Sequence, residues 1–224
     1  MINYSEPTLR IWRNDKSVIM GLRCNVEDEV NLEYIEKKGI VLARRMSGGG
    51  TVYHDLGNIN YTLIIAKRGG GIEYLYEYLL NGLVNSLKYL GVKNIEVKNR
   101  SDIVVDGFKV SGNAAYIKGD VHLLHGTILV NSDLKNLYNA LIIPPKRVSS
   151  NIDPIKYKVN NLSKILGRDL RYNEVLIALI RGFADLLKAN YYFDLPRESE
   201  IYYAKKLKDI KYSKNEFILG KSYN

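Results

Sequence analysis

The 224-residue chain is 46% hydrophobic and 25% charged, long enough for one sizeable core. No run approaches the ~20 apolar residues of a membrane span, the polar N-terminus carries no signal-peptide pattern, and a cytoplasmic protein is expected. The net charge of +9 is uneven, with 16 basic and 15 acidic side chains in residues 1–134 against 17 and 9 in residues 135–224. The single cysteine, Cys24, excludes an intrachain disulfide and a cysteine-built metal cluster.

Leu9–Trp12 and Ser17–Gly21 read as short strands around an Asn14-Asp15 turn. Glu27 to Lys38 reads as one amphipathic helix stopped by Gly39. Ile40–Ala43 is a strand that delivers the chain to a glycine loop, and Ile59–Ala66 is another strand. Gly69-Gly70-Gly71 reads as a plain loop. Apolar residues at Ile72, Leu75, Tyr76, Leu79, Leu80, Leu83, Leu87 and Leu90 have helical spacing, and Gly91 ends that helix. Asp106-Gly107 between two apolar runs predicts a hairpin, and a strand from Val121 to Val130 follows it. Asp133 N-caps a short helix. Pro144-Pro145 to Lys158 is a basic, irregular stretch expected to lie over the site. Helices are predicted at Asn173–Lys188 and Arg197–Lys208. Strands cluster early and helices late, with no internal repeat or linker, which favours α+β over a doubly wound sheet.

Two clusters carry the candidate chemistry. The first is Arg44-Arg45-Met46-Ser47-Gly48-Gly49-Gly50-Thr51-Val52-Tyr53-His54-Asp55-Leu56-Gly57-Asn58. Glycines let a ligand approach the backbone and let N–H groups converge on an anion, and arginine forks suit carboxylates and phosphates. A tight turn is the plainer reading of three glycines; the arginines and polar neighbours favour an anion site. No Gly-Lys-Ser/Thr closes the loop, so it is not a P-loop. The second cluster is Ser101 to Ala115. Plain alternation puts Lys109, Ser111 and Asn113 on one face and Phe108, Val110, Gly112 and Ala114 on the other. That polar face is either solvated or a site. In the following strand His125 and Thr127 share a face of an otherwise apolar run, and polar groups there need partners or a ligand.

With these residues the chain resembles the lipoate–protein ligase A family. The matching blocks are Arg44 to Asn58, Asp102, Lys109-Val110-Ser111-Gly112-Asn113-Ala114 and His125-Gly126-Thr127-Ile128-Leu129. Val159-Asn160-Asn161-Leu162 and the closing Lys211-Tyr212 to Gly220 add to them, so the likeness covers about residues 8–221. It implies an α+β fold: a mixed, largely antiparallel sheet flanked by helices, as in biotin/lipoate ligases and class II synthetase-like domains. Residues 1–224 are then one catalytic domain.

The resemblance implies ATP-dependent activation of lipoate to lipoyl-AMP and transfer of the lipoyl group to a lysine of lipoyl-domain acceptor proteins. It gives Lys109 the catalytic role. ATP or acyl-adenylate contacts fall on Arg45, Ser47, Gly49, Gly50, Thr51, Val52, Tyr53, His54, Asn58, Lys109, Gly126 and Thr127. Lipoate contacts fall on Lys109, Gly50, His54 and His125, with Trp12, Val18 and Met20 as apolar walls. Asp102 is the candidate magnesium residue, so ATP, Mg2+ and lipoate are the expected ligands.

Two departures from the family are expected: its N-terminal helix absent or replaced, and its C-terminal accessory domain absent. A small accessory protein is therefore expected to supply that domain for adenylation. The basic C-terminal third suits an acidic partner or acceptor. Nucleic acid is not expected, since the bases form no uninterrupted run and no RNA-binding signature appears. The alternatives are an octanoyl or lipoyl transferase of the same fold, which needs a cysteine after the lysine strand, and a non-catalytic lipoyl-binding module. The only cysteine, Cys24, lies well before Lys109.

Overall fold

The computed structural model describes residues 6–66, 71–142 and 158–220. Its strands are β1 (Thr8–Trp12), β2 (Ser17–Met20), β3 (Val41–Arg44), β4 (Val52–His54), β5 (Asn58–Ala66), β6 (Ile95–Lys98), β7 (Asp102–Val105), β8 (Phe108–Lys118) and β9 (Val121–Leu129). Its helices are α1 (Val26–Glu29), α2 (Leu32–Lys37), α3 (Ile72–Tyr89), α4 (Leu134–Ala140), α5 (Leu162–Leu166), α6 (Tyr172–Leu187), α7 (Glu198–Leu207) and α8 (Asn215–Leu219). A π-helical turn, Lys208–Tyr212, joins the last two.

Six strands form one antiparallel sheet in the order β1-β5-β9-β8-β7-β6. The other three form a small sheet, β3-β2-β4, in which β2 runs parallel to β3 and antiparallel to β4. The expected α+β architecture with a mixed, largely antiparallel arrangement is what forms. β1 and β2 do not pair with each other; each enters a different sheet, so the Asn14-Asp15 segment is a crossing rather than a hairpin turn.

Each sheet has its own core. Ile59, Tyr61, Leu63 and Ile65 of β5 and Leu124 and Ile128 of β9 point from the large sheet to α3 and α6. These two helices approach closely because glycines meet side chains at the crossing. A Cβ at Gly82 would run into the Phe183 ring, and one at Gly182 into Ser86. The second core gathers Val18, Met20 and Tyr53 from the small sheet with Val26, Ile35, Leu137 and Ala140 from α1, α2 and α4, and Val30 between the first two helices.

The single helix expected over Glu27–Lys38 is two. Val30 leaves helical geometry to bridge Leu141, and the Asn31 side chain accepts from the Tyr34 N–H to start a new helix. Asp106 and Gly107 both take positive φ, 48° and 76°, as a two-residue hairpin turn requires. Asp133 caps α4 through the Asn136 N–H, as the sequence predicts. Strands β4 and β6 carry no sequence signal that announced them. The Pro144-Pro145 stretch and most of Gly69–Gly71 lie outside the described residues. Helix α7 buries no residue; its Tyr202 and, before it, Tyr192, Phe193 and Leu195 are exposed.

Candidate functional site

The site lies on the face of the large sheet turned away from α3. Residues directly opposite in adjacent strands share a face. Thr62 of β5 pairs with His125 of β9, which pairs with Ala114 of β8. Asn60 pairs with both Trp12 and Thr127, so these residues, too, lie on the side opposite Tyr61 and the helices.

The lysine strand does not alternate as its sequence suggests. Between β7 and β8 the register shifts: Ile103 faces Ser111 and Val104 faces Lys109, so Val110 is an extra residue in β8. A bulge of this kind reverses the phase of alternation beyond it. Lys109 therefore shares its side with Gly112, whose absent Cβ would stand 3.1 Å from the ammonium nitrogen. Asn113 points to the helix side, accepts from the Tyr61 hydroxyl at 2.6 Å and donates to the Ser101 carbonyl at 2.8 Å. The expected Lys109–Ser111–Asn113 face is corrected to Lys109–Gly112–Ala114.

Lys109 pairs with Asp102 at 2.7 Å, the two side chains 16% and 4% exposed. The other Asp102 oxygen accepts from Asn99 Nδ2 at 3.1 Å. The Lys109 backbone is clamped from the other side. Its N–H donates to the Lys158 carbonyl, and its carbonyl accepts from Asn160 N–H.

The glycine loop is held by its own cation. Arg45 donates to the carbonyls of Ile19 (3.0 Å), Gly48 (2.7 Å) and Gly50 (2.8 Å), and its Nε to Ser47 Oγ (3.2 Å). Ser47 Oγ also bonds His125 Nε2. Since Arg45 can only donate, the Ser47 proton goes to His125, which is then a neutral acceptor at Nε2. Burial, then Arg45, hold the His125 pKa down to about 4. His54 sits beside it, and burial, then Arg45 and His125, bring its pKa down to about 3. With the Asn14 amide donating to Nδ1 at 3.0 Å, His54 carries its proton on Nε2, a buried atom that no group among the described residues accepts from. Asn58 donates to Asn60 at 2.9 Å, leaving Asn58 Oδ1 and Asn60 Nδ2 likewise unpartnered. Buried polar atoms of this kind call for a ligand or ordered water.

Several predicted site residues have other placements. Tyr53 and the expected wall residues Val18 and Met20 are buried in the second core, where burial also pushes the Tyr53 hydroxyl up to about 12. Gly126 faces the helices, where a Cβ would run into the Asn113 amide. Thr51 is tied by its N–H and hydroxyl to buried Glu29, at 2.9 and 2.7 Å. Nothing in the helical pattern singled out Glu29 or the His54 partner Asn14. Arg44 is an anchor: it donates to the carbonyls of Gly21, Leu22, Cys24 and Ile218, tying α8 to the segment after β2. Lys211 reaches Met46 Sδ at 3.1 Å, which brings the closing segment to the same place. Cys24 is buried and donates to the Gly49 carbonyl at 3.2 Å.

Asp102 is a lone carboxylate; among the described residues no three His, Cys, Asp or Glu side chains group to hold a metal. One carboxylate together with substrate phosphates is nonetheless an ordinary Mg2+ donor set. Among those residues no helix is long and apolar enough to cross a membrane.

Comparison with known proteins matches residues 2–184 to the lipoyl protein ligase A/B catalytic domain. The chain is 35% identical over 225 residues to lipoate-protein ligase A subunit 1 of Thermoplasma acidophilum, covering 96% of this chain and 85% of that one. It spans about half the length of two other relatives, 45% of lipoate–protein ligase 1 of Plasmodium falciparum and 52% of a lipoate-protein ligase of Bacillus subtilis. Among solved structures it resembles a bipartite lipoate protein ligase with its E2 lipoyl domain from T. acidophilum, at TM-score 0.85 and 34% identity over 96% of this chain and 84% of that one. A lipoate-protein ligase A bound with ATP gives TM-score 0.84 and 33% identity, with 96% and 86% covered.

Proposed function

The chain belongs to the lipoyl protein ligase A/B catalytic domain family, and from that premise we propose that it is an ATP-dependent lipoate–protein ligase that modifies lipoyl domains. The observation that carries this reading is Lys109. It is a nearly buried ammonium, held by a single carboxylate over a glycine floor, on the strand beside His125 and the glycine loop.

A free carboxylic acid is a poor acyl donor because hydroxide leaves badly. In the first half-reaction a lipoate carboxylate oxygen attacks the α-phosphorus of ATP, and pyrophosphate leaves with the electrons of the broken P–O bond. The product is a mixed anhydride. In the second, the amine of an acceptor lysine attacks the anhydride carbonyl; a C–N bond forms, AMP leaves, and the amine loses a proton. Neither step needs an acyl-enzyme, so positioning and charge stabilisation do the catalysis. Lys109 would bridge carboxylate and α-phosphate as a compact cation. Backbone N–H groups around Gly49, Gly50 and Thr51 would receive phosphate oxygens. His54 Nε2–H and the Asn60 amide are donors in the same layer that have no partner among the described residues. Arg45 would act by holding the loop and by its nearby charge. Asp102 with the ATP phosphates would hold Mg2+, which offsets polyphosphate charge when bound.

A transferase working through a thioester has less support, because Cys24 is buried with its thiol spent on the glycine loop. The similarity to a subunit 1 supports a second subunit that assists adenylation. Incubation with lipoate and Mg-ATP, with a lipoyl domain as acceptor, tests the reading. Pyrophosphate release and a lipoyl mass increase on the acceptor are expected, both small without a second subunit. Lipoyl-adenylate supplied ready-made should be transferred by the chain alone. No transfer from lipoyl-adenylate would overturn the ligase assignment.

A further inference from the structure

We infer that Asp102 is a positioning residue for Lys109 in both half-reactions, acting through that lysine and not solely through an ATP-bound metal. The inference rests on the ligase reading and on geometry that the reading does not require. Both Asp102 oxygens are committed to protein donors, one to Lys109 Nζ at 2.7 Å and the other to Asn99 Nδ2 at 3.1 Å. The carboxylate is among the most buried charged groups of the chain.

The turn that carries it is held in place at some expense. Asn99 and Arg100 have φ of 46° and 65°, left-handed geometry that non-glycine residues rarely adopt. Such conformations persist where the surroundings over-determine them. Here Arg100 is pinned to Glu73 at 2.6 Å and stacks over the Tyr76 ring at 5.1 Å. Ser101 accepts from both the backbone and side-chain nitrogens of Asn113, at 3.0 and 2.8 Å. The result fixes one carboxylate beside the one ammonium that the chemistry needs.

A lysine on a four-carbon stem otherwise samples many rotamers. Pairing with a carboxylate buried beside Gly112 restricts Nζ to one position before any ligand arrives. That placement serves the second half-reaction as much as the first. In that step there is no polyphosphate, and the ammonium still has to meet the anhydride oxygens.

The test separates the two roles by removing metal and polyphosphate. Transfer from ready-made lipoyl-adenylate to a lipoyl domain is measured in the presence of a chelator, for wild type, Asp102→Asn and Asn99→Ala. Asp102→Asn should lower kcat for transfer about ten- to a hundredfold, the scale of a misplaced catalytic group, with KM for the acceptor unchanged. Asn99→Ala should lower it less and in the same manner. In a Lys109→Ala background Asp102→Asn should have no further effect, as coupled residues require. Wild-type transfer rates in both single variants, with only ATP-dependent adenylation impaired, would overturn the inference and leave Asp102 a metal ligand. If Asp102→Asn does not fold, Asn99→Ala decides alone. Wild-type protein that transfers nothing would defeat the ligase reading itself, a different outcome from a variant defect.

Discussion

The glycine loop and the lysine strand meet at His125, and Arg45 of the one and Lys109 of the other are cations. The two cations are used in opposite ways. Arg45 directs its donors to three backbone carbonyls and Ser47, all within or beside the loop it shapes. Among the described residues Lys109 pairs through its side chain with Asp102, and it stands over a glycine. A guanidinium with a rigid fork of donors suits the fixing of a loop, whereas an ammonium with freely rotating donors can be shared with an incoming anion. On the proposed reading, Arg45 shapes the loop and Lys109 is the charge that meets the ligand.

The largest effect should come from removing the shared charge. Lys109→Ala is expected to fold, by its melting transition, yet lose both adenylation and transfer by about a hundred- to a thousandfold, as when a group that stabilises developing charge is deleted. Comparable loss in pyrophosphate release and in transfer from lipoyl-adenylate is the signature. Near-normal turnover in either assay would erase the distinction between the two cations.

The histidines between the two regions give a smaller effect that depends on pH. Burial and Arg45 hold His125 and His54 neutral, with pKa values of about 4 and about 3. An unfolded histidine titrates near 6.5, so below that pH the unfolded chain binds protons that the folded one does not. Stability is then fully present above about pH 6.5 and lost as pH falls toward about 4. Each histidine should remove about 2 kcal/mol by pH 5, measured as the free energy of urea unfolding. His54→Gln and His125→Gln should each flatten that slope. Slopes parallel to wild type would mean that neither imidazole is kept neutral, and that the layer between loop and strand is wetter than its geometry implies.

What the sequence revealed divides along the same line. The loop was legible because its information is local: glycines, arginines and a polar run stand side by side. The hairpin at Asp106-Gly107 and the cap at Asp133 were legible for the same reason. The lysine strand was misread because its phase depends on a partner. Nothing in Lys109-Val110-Ser111 says that Val110 is a bulge; only the pairing of β8 with β7 does. Gly126 appeared beside Thr127 in a family block, yet strand alternation and the Asn113 amide put it on the helix side. The break at Val30 was hidden too, because it answers to Leu141, more than a hundred residues away. Glu29 gave no signal of its own, since a glutamate in a helical pattern is ordinarily solvated.

The bulge itself can be tested through Asn113, with an effect on stability rather than on binding. If β8 alternated without interruption, Asn113 would stand beside Lys109 and line the pocket. With the bulge it stands under α3, as the acceptor for Tyr61 and the donor to Ser101. Asn113→Ala should therefore leave the buried Tyr61 hydroxyl without its acceptor, at a cost of about 1–3 kcal/mol in unfolding free energy. KM for ATP and for lipoate should stay unchanged, because that side of the sheet packs against the helices. A modest fall in kcat is expected, since the Ser101 contact steadies the turn that carries Asp102. Asn113→Asp offers a control, because its carboxylate can still accept from Tyr61 but cannot donate to Ser101. It should keep the Tyr61 bond while removing one of the two Asn113 bonds to the turn, the backbone one remaining. A rise in KM for ATP with stability intact would place Asn113 in the pocket and return the strand to plain alternation. Lower stability with unchanged KM would fix the face on which each residue of the lysine strand acts.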